Sequence, residues 1–394
     1  MELPVRNVND AFSRLILVFH TGRLGRRSIP QVIRPSRYGE VIMIEEPVLV
    51  SYEQPCERVL FNQARDANPF FHLYEALWML AGRQDVGSLA YYNKRMLEFS
   101  DDGTTINDAY GYRWRHASRS AIHAVVGAQP LDQLDILVEH LKNKPESRRA
   151  VLQMWNVQDD LTRIDTSRAV ACNTAAYFAV GMGRCFLCGG TGQATGTGES
   201  VAGSLQPCPG CKGMPHDVPR FLDMTVTNRS NDMVWGLCGA NAVHFSFLQE
   251  YLACRLGLLV GTYHQFTNNL HVYTNNWKPQ EWLEDDTPDF YEPRISHPDV
   301  GGIDFTRHFP LVKDHEVFDK EIIQFVQHNK DHTGFCREWE EPFLNKVAQP
   351  ICDAWRAYKA REAQVMGHVQ NIQAPDWRVA CRQWINRRLQ RNKG

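Results

Sequence analysis

The chain has 394 residues and a formal net charge of -2, so it lacks the overall positive charge that favours binding to nucleic-acid polymers. Its content of 43% hydrophobic and 22% charged residues is typical of a globular protein and excludes a disordered or fibrous one. No apolar run approaches the ~18–20 residues of a membrane-spanning helix, and the polar first residues, MELPVRNVND, lack the apolar centre of a signal peptide. We expect a cytoplasmic protein that acts on a small phosphorylated molecule and not on nucleic acid or a membrane.

The first part of the chain predicts strands followed by a buried helix. Residues 11–52 combine a basic loop, GRLGRRS, with apolar runs that are typical of strands. The segment FFHLYEALWMLAG, residues 70–82, predicts a largely buried helix that ends near Gly82. Burial of its one acid, Glu75, costs free energy unless that carboxyl has a polar partner or a chemical role.

The middle of the chain predicts a sheet and a helix that covers it. Short segments rich in β-branched and aromatic residues indicate strands at 148–155, 173–180 and 221–227. Residues 241–257 repeat apolar side chains on one face and predict a long helix packed on the sheet, and the strand candidate VGTYHQFTNN follows at once. We therefore expect an α+β fold in which helices pack on a mixed β-sheet.

An insertion rich in Gly, Ser, Thr and Pro, residues 184–219, interrupts the predicted sheet and cannot form an apolar core of its own. It carries two C-x-x-C pairs separated by 19 residues, a spacing typical of four-thiolate zinc sites, and the predicted ligands are Cys185, Cys188, Cys208 and Cys211. Four thiolates fill a tetrahedral coordination sphere, so the expected zinc is structural. The segments CFLCGGTG and CPGCKG resemble the zinc-binding repeats of the DnaJ chaperone family.

Composition divides the chain into three expected regions. Residues 1–278 form the predicted core, and the zinc-binding insertion, 184–219, lies within it. Residues 279–394 form an extension that begins polar and acidic, becomes helical and Trp-bearing from about residue 338, and ends in the basic NRRLQRNKG.

Cys172 is the candidate nucleophile. It stands just before the strand predicted at 173–180 and ahead of Arg229. A thiolate can add reversibly to carbon 6 of a pyrimidine ring and so make carbon 5 nucleophilic, and nearby arginines would lower the pKa of the thiol. Taken alone, however, such a cysteine is more often a small, inert residue of the core.

Seven segments, in order between residues 15 and 277, resemble the motif series of thymidylate synthases and their viral hydroxymethylase relatives. They are YEALWMLAG, DAYGYRWR, SRRAVLQMWN, ACNTAAYFAV, LDMTVTNRSNDMVWGL, NAVHFSFLQEYLACRLG and NNLHVY. The resemblance implies the thymidylate synthase fold and transfer of a one-carbon unit to carbon 5 of a deoxypyrimidine monophosphate. It also implies methylene-tetrahydrofolate as the cosubstrate.

The resemblance implies a chemical role for three residues. Cys172 would be the nucleophile. Glu75 would be the buried acid that relays protons to the ring through ordered water, although it could also be a satisfied core acid. Tyr110, in the run YGYRW, would be the active-site tyrosine.

Phosphate binding is implied for several cationic residues. Arg229 would hold the nucleotide's phosphate with its planar guanidinium, and Ser230 would add a hydroxyl donor. At the N-terminal loop the corresponding arginine is Arg23, with Arg26 as the competitor.

A dimer is implied by the doubled arginine that precedes the strand at 148–155. In the family that this chain resembles, residues matching Arg148 and Arg149 reach the phosphate site of the partner subunit. The expected assembly is therefore a homodimer with two shared active sites.

Four more residues would recognise the sugar, the folate and the base. His271 and Tyr273 match an H-x-Y pair that binds the sugar hydroxyl, and Asp232 matches an aspartate that binds the folate's pterin. Asn241 falls on the position that contacts the pyrimidine edge. An amide can donate to O4 of uracil and accept from its N3–H, whereas a carboxylate would favour cytosine, so Asn241 favours deoxyuridylate as the substrate.

The chain departs from the thymidylate synthase pattern in ways that favour a hydroxymethylase. Asn173 follows the nucleophile where the family usually has histidine, and Asn228 precedes the phosphate arginine where it has glutamine. Residues 79–113 contain no tryptophan, and the usual short apolar C-terminus is replaced by a long extension. Since tryptophan packing and a sealed C-terminus exclude water, their loss favours hydroxymethylation, in which water completes the reaction. Thymidylate synthesis and hydroxymethylation of deoxycytidylate remain the alternatives.

Two hypotheses from other classes compete with catalysis. The protein could be a nucleotide-binding regulator that kept the fold and lost the chemistry, but the presence of Cys172, Glu75 and the phosphate arginines disfavours this. Alternatively, the zinc insertion could be a partner- or nucleic-acid-binding module, although it has few cations and no aromatic stacking platform.

Overall fold

The computed structural model describes residues 1–117, 130–182, 193–195, 205–207, 219–292, 308–330 and 338–391. Within these residues the chain combines helices with mixed β-sheets, so the predicted α+β class is confirmed. The four cysteines predicted to bind zinc lie outside the described residues. No helix in the described part of the chain is long and apolar enough to cross a membrane.

The central sheet contains six strands in the order β1-β6-β13-β11-β8-β7, and a second sheet has the order β12-β14-β5-β4. Two hairpins, β2-β3 and β9-β10, complete the described strands. The strands are β1 Glu2–Val5, β2 Arg23–Leu24, β3 Arg27–Ser28, β4 Gln31–Ser36, β5 Gly39–Ile44, β6 Val48–Tyr52, β7 Val151–Gln153, β8 Asn173–Met182, β9 Gln193–Thr195, β10 Leu205–Pro207, β11 Pro219–Asn228, β12 Asn231–Asp232, β13 Leu259–Thr267 and β14 Leu270–Tyr273.

Helices cover one face of the central sheet and build the extension. They are α1 Val8–Thr21, α2 Pro69–Leu80, α3 Val86–Tyr92, α4 Tyr110–Arg115, α5 Gln133–Asn143, α6 Asn241–Leu256, α7 Pro279–Leu283, α8 His315–Lys330, α9 Gln349–Ala360, α10 Val365–Gln370 and α11 Pro375–Arg391. Helix α8 lies in the region that the sequence analysis describes only as polar and acidic.

Helix α2 is the buried helix predicted at residues 70–82. The side chain of Asn68 accepts hydrogen bonds from the first backbone N–H groups, and Pro69 occupies the first turn, where its missing N–H costs nothing. Every residue of the helix except His72 is buried, which agrees with its nearly uniform apolar sequence. Helix α6 ends, as predicted, at Gly257, whose φ of 69° is the left-handed conformation that favours glycine.

Strand pairing brings the ends of β8 and β11 together. The two strands are antiparallel, and Asn173, the first residue of β8, is the register partner of Asn228, the last residue of β11. Cys172 directly precedes one strand and Arg229 directly follows the other. Residues that are far apart in the sequence therefore meet at one edge of the sheet because their strands pair in this register.

The extension packs against the core through aromatic side chains. Phe70 of α2 contacts Trp355 of α9 and Trp384 of α11, with ring centroids 5.4 Å apart in both cases. Asp66, just ahead of α2, accepts hydrogen bonds from Arg387 and Arg388 of α11. Helix α11 is thus held beside the N-terminal end of α2, although the domain boundaries predicted at 278 and 184–219 stay predictions.

Candidate active site

Cys172 and Arg229 form the centre of the candidate site. The backbone N–H of Arg229 donates to the Cys172 carbonyl at 2.9 Å, as expected from the pairing of β8 with β11. The guanidinium donates to the carbonyl oxygens of Ala171 at 2.8 Å and Val170 at 2.9 Å, and its Nη2 lies 3.7 Å from the Cys172 Sγ. The loop before the nucleophile therefore fixes the arginine against the thiol.

Burial and charge act in opposite directions on the Cys172 thiol. Burial raises its pKa, whereas the positive charge of Arg229 lowers it and the nearby Asp108 raises it again. Arg229 lowers the thiol pKa as expected, but burial outweighs it, so the net result in the protein without substrate is a raised pKa. Burial disfavours the thiolate more than the one adjacent guanidinium favours it.

Tyr110 holds the backbone of the nucleophile. Its hydroxyl oxygen accepts hydrogen bonds from the N–H groups of Cys172 at 3.0 Å and Asn173 at 3.2 Å. Gly111 allows Tyr110 to sit this deep, because a Cβ at this position would lie 2.0 Å from the carbonyl oxygen of Met79 at the end of α2. Tyr110 and Gly111 together thus place a hydroxyl within hydrogen-bond distance of the backbone at the nucleophile.

Glu75 and Asp232 line a cavity of about 570 Å³ that is also lined by Trp235 and Tyr273. The Asp232 Oδ1 accepts from the backbone of Trp235, whereas its Oδ2 is buried without a hydrogen-bond partner among the residues that the structure describes. Burial raises the pKa of Asp232 to about 6. A buried acceptor without a partner costs free energy and is satisfied by a ligand that brings an N–H group, as a pterin does.

The extension contributes a cation to this cavity. Arg388 of α11 lines it, stacks 3.3 Å from the ring centroid of Trp384, and donates to Asp66. Arg95 lies on the same cavity wall. These two guanidinium groups give this part of the cavity wall a positive charge, which favours an anionic ligand group such as the carboxylates of a folate.

Ser230, His271 and Tyr273 line a second, more open cavity of about 390 Å³ together with Arg34. Tyr273 borders both cavities. Burial raises its pKa, and the negative charge of Asp232 raises it further. The sites predicted for nucleotide and folate are therefore adjacent.

Asn241 begins helix α6 and belongs to a chain of buried amides. Its Nδ2 donates to Asn231 Oδ1 at 3.2 Å, and its Oδ1 accepts from Asn173 Nδ2 at 3.4 Å. The Asn173 Oδ1 is buried without a partner among the described residues. Asn241 directly follows the wide helical turn at Met233–Ala240 and lies beside the residue that follows the nucleophile.

The remaining predicted phosphate ligands are not brought to this centre. Arg23 and Arg26 are exposed on the β2–β3 hairpin, and Arg148 and Arg149 are exposed just before β7. Within the described part of the chain, no hydrogen bond or ion pair joins any of the four to Cys172 or Arg229. Their roles stay predictions.

A compact ionic cluster joins the extension to the core away from Cys172. Cys56, Glu250 and His308 lie close enough to hold a metal ion. Glu250, however, is already paired with the Arg58 guanidinium and with His308. Although burial opposes it, the hydrogen bonds that the His308 ring donates to Cys56 and Glu250 raise its pKa to about 10. The cluster contains none of the four cysteines predicted to bind zinc.

The structure adds polar residues that the sequence analysis does not single out. Asp108 lies near Cys172, and burial raises its pKa to about 6. His72 and Arg65 line the cavity that holds Glu75, and His244 lies 3.0 Å from the Glu75 carboxylate. Two of these residues lie in the motifs DAYGYRWR and NAVHFSF, which contain Asp108 and His244. Their positions in the sequence, however, do not indicate that they contact Cys172 or Glu75. A cavity of about 680 Å³ beside Arg113 and Trp155 includes none of the predicted site residues.

Comparisons with known proteins identify the family of this chain. The family described as thymidylate synthase matches residues 65–300. The deoxyuridylate hydroxymethyltransferase of Pseudomonas phage M6 is 36% identical over 98% of this chain and 94% of its own length. A protein of the same name from Bacillus phage SP01 is 36% identical over 61% of this chain and 52% of its own length. A thymidylate synthase of Ascaris suum is 26% identical over 51% of this chain and 60% of its own length.

The chain therefore belongs to the thymidylate synthase family. The relationship to the phage M6 protein includes the extension, since it covers nearly the whole chain.

The opposing effects on the thiol give a first prediction. Replacing Arg229 with Gln removes the positive charge beside Cys172, so the pKa of the thiol should rise further and alkylation by iodoacetamide should shift to higher pH. Arg229→Lys is the matched control, because it keeps the charge, and alkylation of a Cys172→Ser variant gives the background from the other cysteines. An unchanged pH profile in Arg229→Gln would show that the guanidinium does not act on the thiol.

Proposed function

We propose that this protein is a deoxyuridylate hydroxymethyltransferase that transfers a one-carbon unit from methylene-tetrahydrofolate to carbon 5 of deoxyuridylate. The observation that carries the proposal is the meeting of Cys172, Arg229 and Tyr110 next to the cavity lined by Glu75 and Asp232. The similarity to the phage M6 protein over 98% of the chain supports the hydroxymethyl outcome. Thymidylate synthase is the alternative, since curated thymidylate synthases are also related to this chain.

The proposed reaction starts at the Cys172 thiol. The thiolate adds to carbon 6 of the ring, and the electron pair of the C5–C6 double bond makes carbon 5 nucleophilic. Tyr110 fixes the backbone of the nucleophile through two hydrogen bonds. In the free protein the thiol has a raised pKa, and the hydrogen bonds of Arg229 to the carbonyls of Ala171 and Val170 keep the guanidinium where it stabilises the thiolate.

The second half of the reaction adds water. Carbon 5 bonds to the methylene carbon of the folate and then loses its proton to a base, while the bond from that carbon to the folate nitrogen breaks and tetrahydrofolate leaves. The ring then carries an exocyclic methylene and is still bonded to sulfur at carbon 6. Water oxygen bonds to the methylene carbon while a base takes one proton, and the electrons move onto the ring. They then expel the Cys172 thiolate and restore the C5–C6 double bond. Glu75 is the carboxylate that we assign as this base.

We assign one of the two cavities to the nucleotide and the other to the folate. Ser230, His271 and Tyr273, with Arg34, would receive the sugar and phosphate of the nucleotide. Methylene-tetrahydrofolate would lie in the cavity of about 570 Å³, with its pterin at the Asp232 Oδ2, which has no hydrogen-bond partner in the described part of the chain. Asn241 and Asn173 would contact the pyrimidine edge, which favours uracil because an amide offers both a donor and an acceptor. Hydroxymethylation of deoxycytidylate is the alternative for the base.

A homodimer would supply the missing phosphate ligands. The face of the central sheet that points away from α6 exposes apolar side chains, including Val151, Tyr177 and Phe266. An exposed apolar face of this kind is typical of a subunit interface. Arg148 and Arg149 lie at the edge of this sheet, just before Val151, where they could reach a partner's site. We also propose that Cys185, Cys188, Cys208 and Cys211 hold a structural zinc.

The product distinguishes the two outcomes. Incubation with methylene-tetrahydrofolate and deoxyuridylate in water labelled with heavy oxygen should give 5-hydroxymethyl-deoxyuridylate that carries the label, and tetrahydrofolate should be released. We expect kcat/KM for deoxyuridylate to exceed that for deoxycytidylate by at least ~10-fold, because a cytosine would leave one amide group unpaired. Mass spectrometry identifies the product, and Cys172→Ser should form none. Thymidylate together with dihydrofolate would instead identify a thymidylate synthase.

Shared active sites can be tested by mixing a variant that lacks the nucleophile with one that binds the nucleotide weakly, and by assaying at nucleotide concentrations well below the raised KM. The double substitution Arg148→Ala, Arg149→Ala should raise KM for the nucleotide by ~10–100-fold, because each site loses charged hydrogen bonds from its partner. The double variant is then mixed in equal amounts with Cys172→Ser, unfolded and refolded. Random pairing makes about half of the dimers heterodimers, each with one intact site, so about a quarter of the parent activity should return. The same variants refolded separately are the control. No recovery in the mixture would contradict sharing.

A further inference from the structure

A buried histidine faces the proposed base. The Nε2 of His244 in the first turn of α6 lies 3.0 Å from the Oε2 of Glu75 on α2, and both residues are buried, with 3% and 6% of their surfaces exposed. Within the described part of the chain neither atom has a hydrogen-bond partner, and the two are not aligned as a hydrogen bond. The His244 ring nitrogen and the Glu75 oxygen are therefore close enough to form a hydrogen bond with each other.

This arrangement costs free energy unless it is used. A buried acceptor or donor without a hydrogen bond costs ~1–3 kcal/mol, and here two such groups point to the same place. Hydrogen bonds in active sites without substrate are often poorly aligned and tighten in the complex. A small rotation of the carboxylate would align the pair and fix the direction of the second oxygen of Glu75.

The cavity wall next to Glu75 includes a neutral polar side chain, His72. His72 precedes Glu75 by three residues on α2 and lines the same cavity. Burial and the charges of Arg65 and His244 lower the pKa of His72 to about 3, so its ring is neutral and can donate and accept hydrogen bonds. His72 also borders a cavity of about 20 Å³ between α2 and α11, which has room for one water molecule. Such surroundings can hold water where an apolar wall would exclude it.

We propose that His244 is a positioning residue for the addition of water. It hydrogen-bonds one oxygen of Glu75, so that the other oxygen is aimed at the water that attacks the exocyclic methylene. Glu75 takes the proton of that water, its oxygen bonds to the methylene carbon, and the ring electrons expel the Cys172 thiolate. Formation of the methylene intermediate does not need His244. This inference rests on the proposed function.

The test separates formation of the intermediate from addition of water. In a single turnover with deoxyuridylate that carries tritium on carbon 5, tritium release reports the intermediate, and mass spectrometry reports the hydroxymethyl product. For His244→Ala we expect tritium release within about threefold of the parent, whereas product formation should slow by ~10–100-fold, the effect of losing a hydrogen bond to a charged group. An added small thiol should then trap the waiting methylene as a thioether.

Two further variants distinguish positioning from packing. His244→Gln keeps an N–H donor and should restore most of the rate of product formation. Ser246→Ala removes a buried polar group from the same helix and should leave both rates unchanged, because among the described residues its hydroxyl donates to the nearby Val243 carbonyl and not to the site. The Kd of deoxyuridylate without folate, together with the thermal midpoint, checks that each variant folds and binds nucleotide.

Three results would overturn the inference. Tritium release and product formation could slow by the same factor in His244→Ala, both could stay at the parent rate, or His244→Gln could be as slow as His244→Ala. If His244→Ala fails to fold, His244→Asn takes its place, because its shorter amide cannot reach Glu75. Product formation should then be slow in His244→Asn and close to the parent rate in His244→Gln. If the parent itself makes thymidylate, the proposed function fails, and this outcome is separate from all three.

Discussion

The site depends on the antiparallel register of β8 with β11. Asn173 pairs with Asn228, so the residue before one strand and the residue after the other are held together by a backbone hydrogen bond of 2.9 Å. This pairing places the Arg229 guanidinium beside the Cys172 thiol, and the Tyr110 hydroxyl accepts a hydrogen bond from the backbone N–H of Cys172. A shift of one residue in this register would turn these side chains to the opposite face of the sheet.

Buried polar groups surround this centre, and their free-energy cost is consistent with a catalytic role. The Asp232 Oδ2, the Asn173 Oδ1 and the Glu75 Oε2 are all buried without a hydrogen-bond partner among the described residues. In a protein that served only as a scaffold, such groups would destabilise the fold without any compensating gain. Substrates and water that bring the matching donors would satisfy them. The extension supports this arrangement, since α11 packs beside α2 and supplies Arg388 to the cavity wall.

Local sequence patterns predict much of the fold. The apolar run that ends near Gly82 and the one-sided apolar pattern that ends at Gly257 correctly predict α2 and α6, because caps and periodicity are properties of neighbouring residues. Helix α8 was not predicted, since its sequence is polar and its apolar residues, such as Phe318 and Phe325, are recognised as one face only once the core they contact is known.

The candidate site was predicted less completely, for a related reason. The segments of this chain that resemble the family indicate Cys172, Glu75 and Arg229. The contact between Glu75 and His244, by contrast, joins residues on two helices that are far apart in sequence. An isolated histidine in an apolar helix is more often a core residue, so nothing in its spacing indicates a role. The raised pKa of Cys172 was missed because it depends on burial, which the sequence does not measure. The roles of Arg23, Arg148 and Arg149 stay predictions, as does the zinc site.

The central claim is that the sulfur of Cys172 bonds to carbon 6 of the pyrimidine. The most direct measurement is mass spectrometry of the denatured protein after incubation with 5-fluoro-deoxyuridylate and methylene-tetrahydrofolate, since fluorine at carbon 5 cannot be removed as a proton and the covalent complex should persist. We expect the protein to gain the mass of both molecules, with the bond mapped to the peptide that contains Cys172. A complex mapped to another cysteine, or none in an active and folded preparation, would contradict the account.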